Sequence, residues 1–184
     1  MDWKRRKQIA NLVDGILLCN VFNRPPIELI RDIMIQRGIK FEERDVNDDE
    51  FCGVYIVIGE TKIIFVNSSL YEPRKNFTIA HELGHHFLAH QLNDGAIICN
   101  KDTIFGNNKP EQEKEADYFA ACFLMPEKMM KQKKTEFEKN NQQLELFQET
   151  KIQDINKSFV EYMCKFFKVS KEAMNYRLEG VKMR

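Results

Sequence analysis

His81-Glu82-Leu83-Gly84-His85 places two histidines four residues apart with a glutamate beside the first. On a helix, positions i and i+4 share a face, with Cβ atoms about 5–6 Å apart. Two imidazoles at that spacing can grip one ion at about 2.0–2.1 Å each, and zinc is the usual occupant of such a pair. Glu82 lies about 100° round the helix from His81. It sits beside the ion without being forced to bind it, as a general base must to take a proton from a water. The segment reads as a helix over about 73–90, with an apolar stripe at Ala80, Leu83, Gly84, Phe87 and Leu88. His81, Glu82 and His85 fall on a neighbouring face, so burial of one side and a polar catalytic side are expected. Gly84 costs about 1 kcal/mol relative to Ala in a helix, and close packing against a hairpin would explain it.

A catalytic zinc site takes three protein ligands and keeps a position for water. A third histidine six residues after His85 would require His at position 91 and a glycine at 88. The chain has Gln91 and Leu88 there, which excludes the metzincin arrangement. A carboxylate on a later helix is the other source. The segment 111–124 reads as a helix with an apolar face of Ala116, Phe119, Ala120 and Phe123. Glu113 borders that face and Asp117 follows one turn later, a Glu-x-x-x-Asp pair of gluzincin type. Glu113 is the expected third ligand. Asp117 is expected to accept a hydrogen bond from the outer nitrogen of a ligand histidine, which fixes its tautomer. The alternative is that Glu111, Glu113 and Glu115 only complement a helix N-terminus; that accounts well for Glu111 and Glu115. His86 is expected to be solvated or to support the metal face, and His90 to act as a helix-end cation or cap. Tyr71, Tyr118 and His86 are candidate oxyanion stabilisers.

HELGH followed by Glu113-Lys114-Glu115-Ala116-Asp117-Tyr118-Phe119-Ala120-Ala121-Cys122-Phe123-Leu124-Met125-Pro126 resembles the ImmA/IrrE family of bacterial zinc metallopeptidases. The likeness is strongest over 76–126. It extends more weakly to the preceding helix and hairpin and to the closing Phe167-Lys168-Val169-Ser170. Cys122 and Phe123 depart from the family's usual residues without touching the metal pattern. The resemblance implies one zinc per chain held by His81, His85 and Glu113, with Glu82 as base. It also implies a protein substrate, a helix-turn-helix transcriptional regulator such as a repressor of a phage or other mobile element.

The rest of the chain must position these groups. With 184 residues, 43% of them hydrophobic, one core is within reach, and 28 basic residues balance 28 acidic ones. That balance disfavours a basic nucleic-acid module. A helix is read over 8–22, stopped by Arg24-Pro25-Pro26. A second runs from the prolines to Met34, ended near Gly38, and a short strand follows at 39–44. The β-branched runs 54–58 and 62–66 flank Gly59-Glu60-Thr61 as a hairpin. A loop with one strand at 96–99 follows. Polar 128–151 flanks the site, and two closing helices span 155–167 and 170–178. Five cysteines without a CxxC read as reduced thiols. No stretch reaches the roughly 20 apolar residues of a membrane helix, and no signal peptide is evident, so a cytoplasmic protein is expected. Lys171 and Arg177 are matched by Glu172 and Glu179, which makes packing, not DNA binding, the expected role of the tail. The expected fold is α+β: a small, mostly antiparallel sheet packed on the HExxH helix within a mainly helical domain. The core is taken as 1–126, with a helical extension at 127–184 packed on it. The rival reading is a zinc-containing sensor or partner-binding protein without proteolytic activity. Retention of Glu82 favours the enzyme.

Overall fold

The structure, a computed structural model, describes residues 1–17, 24–48, 50–100, 109–145 and 152–183, with the side chains of 141–157 left aside. The expected helix at 18–22, most of the loop at 101–108, the end of the polar stretch at 146–151 and Cys19 lie outside the described residues. Helix α1 (Trp3–Ile16) is capped by Asp2, whose side chain accepts from the Arg5 backbone N–H. A 3₁₀ turn at Pro26–Leu29 leads into α2 (Ile30–Gln36). Strands β1 (Ile39–Arg44), β2 (Phe51–Ile58) and β3 (Thr61–Asn67) precede α3 (Glu72–Phe87) and β4 (Ala96–Asn100). Helices α4 (Glu111–Leu124), α5 (Glu127–Glu145), α6 (Ile152–Phe167) and α7 (Lys171–Gly180) complete an α+β fold.

The sheet order is β1-β3-β2-β4. β2 pairs antiparallel with β3 and β4, the first through a two-residue turn at Gly59-Glu60. β1 runs parallel to β3, from Ile39 opposite Lys62 to Arg44 opposite Asn67, so the sheet is mixed. α3 lies between this sheet and α4, and that position corrects the expectation of a one-sided helix. Asn76 and every residue from Thr78 to His85 are buried. The polar face of α3 is covered by α4 and the sheet instead of by water. Gly84 is explained by α4, not by the hairpin: a Cβ there would lie 3.1–3.2 Å from atoms of Phe119. Phe87, Phe119 and Phe123 then stack in sequence with ring centroids 5.8 and 6.1 Å apart. On the sheet side, a Cβ at Gly53 would lie 2.7 Å from Thr78 Cγ2 and 3.3 Å from Glu82 Oε1. Glycine there lets β2 approach the helix at the turn that carries Glu82.

One hydrophobic cluster runs from Ile9 and Val13 of α1 to Phe167, Met174 and Leu178 of the last two helices. Two hydrogen bonds tie the tail to the site helices. Arg177 Nε donates to the Met125 carbonyl at 3.0 Å, and Asn76 Nδ2 donates to the Lys168 carbonyl at 2.9 Å. Arg177 is thus turned inward, at 7% exposure, while Lys171 pairs with Glu161.

α3 ends at Phe87, three residues short of the expected end at His90, in a Schellman motif. The Ala89 N–H reaches the His86 carbonyl at 3.2 Å and the His90 N–H reaches the His85 carbonyl at 3.1 Å. Ala89 holds φ of 52°, a left-handed conformation that costs an L-residue roughly 1–2 kcal/mol. Ala89→Gly should therefore raise stability by about 1 kcal/mol, read as a higher denaturant midpoint. An unchanged or lower midpoint would show that the Ala89 methyl contributes packing that outweighs the strain.

Candidate metal centre

The three donor groups meet at one buried point. His81 Nε2 and His85 Nε2 are 3.0 Å apart, Glu113 Oε2 is 3.1 Å from His81 Nε2, and Glu113 Oε1 is 3.5 Å from His85 Nε2. Tetrahedral zinc with bonds of 2.0–2.1 Å sets its ligand atoms about 3.3 Å apart, so these separations bracket what such an ion needs. His81 and His85 are fully buried and Glu113 is 6% exposed. Two imidazole nitrogens and a carboxylate aimed at one another out of water require a positive charge between them. The donor set of two histidines and one glutamate is of the catalytic kind, with a position left over.

Charge regulation at the centre shows the same demand. Burial alone would lower the His81 pKa, but Asp117 and Glu113 outweigh it and push it up to about 10. His85 is driven down to about 2 by burial and by the neighbouring His81 and His90. Glu82 is fully buried, and neither carboxylate oxygen makes a hydrogen bond of normal geometry. Its carboxyl and the Cys99 thiol lie with a His81 nitrogen inside 4.8 Å of one another. Burial raises the Glu82 pKa to about 8, with His81 opposing and Glu113 adding to the shift. Such a carboxyl gains and loses a proton near neutrality, which is the property of a general base or acid.

Comparison with known proteins fits this geometry. The family model described as the IrrE N-terminal-like domain, of the M78 peptidases, matches residues 36–179. The chain belongs to the M78 family. A protein of Bacillus phage phi105 called "Uncharacterized immunity region protein 2" is 35% identical over 89 residues, 48% of this chain and 54% of that protein. The chain thus matches about half the length of that curated relative. Family membership supports a metallopeptidase-like role.

Around the donors, this M78 domain builds a supporting ring that its sequence only partly revealed. Asp117 Oδ1 accepts from His81 Nδ1 at 3.0 Å, and Lys109 Nζ donates to Oδ2. His90 is not a plain helix-end cation, because its Nδ1 is 2.8 Å from His85 Nδ1 and its Nε2 is 3.2 Å from Glu115 Oε2. Glu115 is likewise more than a helix-end charge, since Arg5 holds both of its oxygens. Glu111 does stay peripheral, paired with the Met1 amino group. His86 points away from the donors and bonds through Nδ1 to the Tyr55 hydroxyl at 2.9 Å, tying α3 to β2. Tyr71 and Tyr118 line a cavity of about 550 Å³ between α3, α4 and α7, with Asp117 and Lys109 in its wall. Arg5, Cys99 and Gly53 reach the centre from distant elements, and Lys109 and His90 from beyond a helix end, so none had a periodic signal; Glu115 shares the helix of Glu113, and only its partners His90 and Arg5 were unreadable. Among the described residues, no helix is long and apolar enough to cross a membrane.

Proposed function

We propose that this M78 domain is a cytoplasmic zinc-dependent endopeptidase that cuts a specific protein, a helix-turn-helix transcriptional regulator. The carrying observation is the convergence of His81, His85 and Glu113 on one point beside a buried Glu82 carboxyl whose oxygens make no hydrogen bond of normal geometry. His81, His85 and Glu113 would hold one zinc ion. Zinc, when bound, supplies Lewis acidity that polarises a peptide carbonyl and acidifies a water. Glu82 takes the proton that the attacking water loses as its oxygen bonds to the carbonyl carbon. It then delivers that proton to the amine nitrogen as the C–N bond breaks. Asp117 and Lys109 hold His81 in orientation through Nδ1. Burial of the whole constellation keeps bulk water from competing for these contacts.

The phage relative's printed name, an immunity-region protein, supports a regulator as substrate, and so does the need for restraint. A protease that acts among many other proteins takes its selectivity from contacts remote from the scissile bond. The polar stretch 128–151, which follows the site helix, is the proposed source of those contacts; of its side chains, those at 128–140 are mostly exposed or half-buried. Incubation with casein and with a helix-turn-helix regulator encoded beside this chain, each with and without chelator, tests the reading. Cleavage of the regulator at one or few sites, abolished by chelator, is expected. Rapid digestion of casein into many fragments would refute narrow specificity. Tight binding of the regulator with no cleavage would establish the sensor reading instead.

A further inference from the structure

We propose that His90 is a positioning residue for the metal: an Arg5–Glu115–His90 relay holds the His85 proton on Nδ1 and thereby keeps Nε2 free to ligate. This rests on the zinc reading above. A neutral imidazole carries one proton, and whichever nitrogen bears it cannot ligate. His85 Nε2 faces His81 and Glu113 across 3.0 and 3.5 Å; for it to ligate a metal held at that point, its proton must reside on Nδ1. The partner of that nitrogen is His90 Nδ1, at 2.8 Å. Two nitrogens at that distance share a single proton, and geometry at this pair alone does not say which owns it.

Glu115 decides. Its Oε2 lies 3.2 Å from His90 Nε2. If His90 carried its proton on Nδ1, the Nε2 lone pair would face a carboxylate oxygen. With the proton on Nε2, His90 donates to Glu115 and its Nδ1 is left as an acceptor for the His85 proton. Arg5 donates from Nε to Oε1 at 2.8 Å and from its terminal nitrogen to Oε2, and so keeps Glu115 a fixed anion. Each proton from His85 to Glu115 thus points outward from the metal site. The His90 side chain is only 4% exposed, so water does not offer it a competing partner.

Two further observations support a built feature. The Schellman turn at Leu88–His90, with Ala89 at φ of 52°, is what folds His90 back onto His85. Such turns commonly bring together the residues that stand here at 85 and 90 through an apolar contact; in this chain the contact is imidazole to imidazole, with centroids 4.9 Å apart. The other ligand histidine has the same arrangement in shorter form, His81 to Asp117 to Lys109. Each ligand imidazole is therefore backed by a carboxylate that a cation anchors, and His90 spans the extra distance on the His85 side. The relay also fastens α1 to the metal site.

Three measurements on the full chain test this. Ring ¹⁵N NMR of the unaltered protein should show His90 as the Nε2–H tautomer and His85 as Nδ1–H; the opposite tautomer at His90 would overturn the relay. Zinc competition against a chelator should show about 10–100-fold weaker binding in His90→Phe, and the visible spectrum of its cobalt-loaded form should shift. His90→Asn, whose Oδ1 can accept from His85 Nδ1, should recover most of the affinity and the parental spectrum. Parental affinity in His90→Phe, or no recovery in His90→Asn, would reduce His90 to packing. If the unaltered protein itself takes up no zinc, the metal reading falls and the relay with it; zinc uptake that ignores His90 removes only the relay.

Discussion

Glu82→Gln is expected to keep one zinc per chain and lose hydrolysis by about 10²–10⁴-fold. The amide matches the carboxylate in shape and cannot take the proton. The same substitution should stabilise the chelator-treated protein, because it removes a buried carboxyl whose oxygens make no normal hydrogen bond. The sign follows from the shift of Glu82 from 4.5 to about 8 on folding. The folded state holds that proton more tightly than the unfolded chain, so the parent loses stability as pH rises from 4.5 through 8. The amide does not titrate, so the advantage of the variant should widen across that window. Thermal melts at about pH 5, 7 and 9 span the window, and with metal analysis and a cleavage assay they check both parts. Loss of zinc would make Glu82 a ligand, and an undiminished rate would place the base elsewhere. An advantage that does not grow with pH would mean that the carboxyl is not held neutral by burial.

Removal of any one donor should empty the site. His81→Ala, His85→Ala and Glu113→Ala should each release most of the zinc, since two remaining ligands do not make a catalytic site of three. Asp117→Ala should weaken binding by only about 10–100-fold, because it touches the ion solely through His81 Nδ1. Affinity in the parent should also rise with pH through neutrality: zinc must displace the proton that His81 holds up to about 10, and one proton released means about a tenfold gain per pH unit. Chelator competition at about pH 6, 7 and 8 across these proteins measures all of it. Undiminished zinc in Glu113→Ala would move the third ligand to another carboxylate. An Asp117→Ala protein with parental affinity would reduce Asp117 to a partner of Lys109.

Features under short-range control are legible in residue spacing alone. The spacing of His81 and His85 puts two imidazoles on one helix face wherever that helix lies. Asp117 follows Glu113 by one turn for the same reason. The β-branched runs around Gly59 read as a hairpin, and they pair as one; both site helices were legible from their apolar periodicity. The tertiary structure decided everything set by contact between distant segments. The sheet closes over Glu82, with Gly53 of β2 and Cys99 of β4 beside it, and burial there pushes its pKa upward; α4 covers another side of α3 and fixes Gly84 against Phe119. β1 runs parallel to β3, a pairing between segments that no turn joins. Arg5 meets Glu115 across 110 positions. His90 lies beyond the helix end, outside any helical period, and only the left-handed turn at Ala89 returns it to His85. Periodicity reports which face a residue occupies within one element. Which second element covers that face, and which charge it brings, depends on packing that is settled only when the whole core closes.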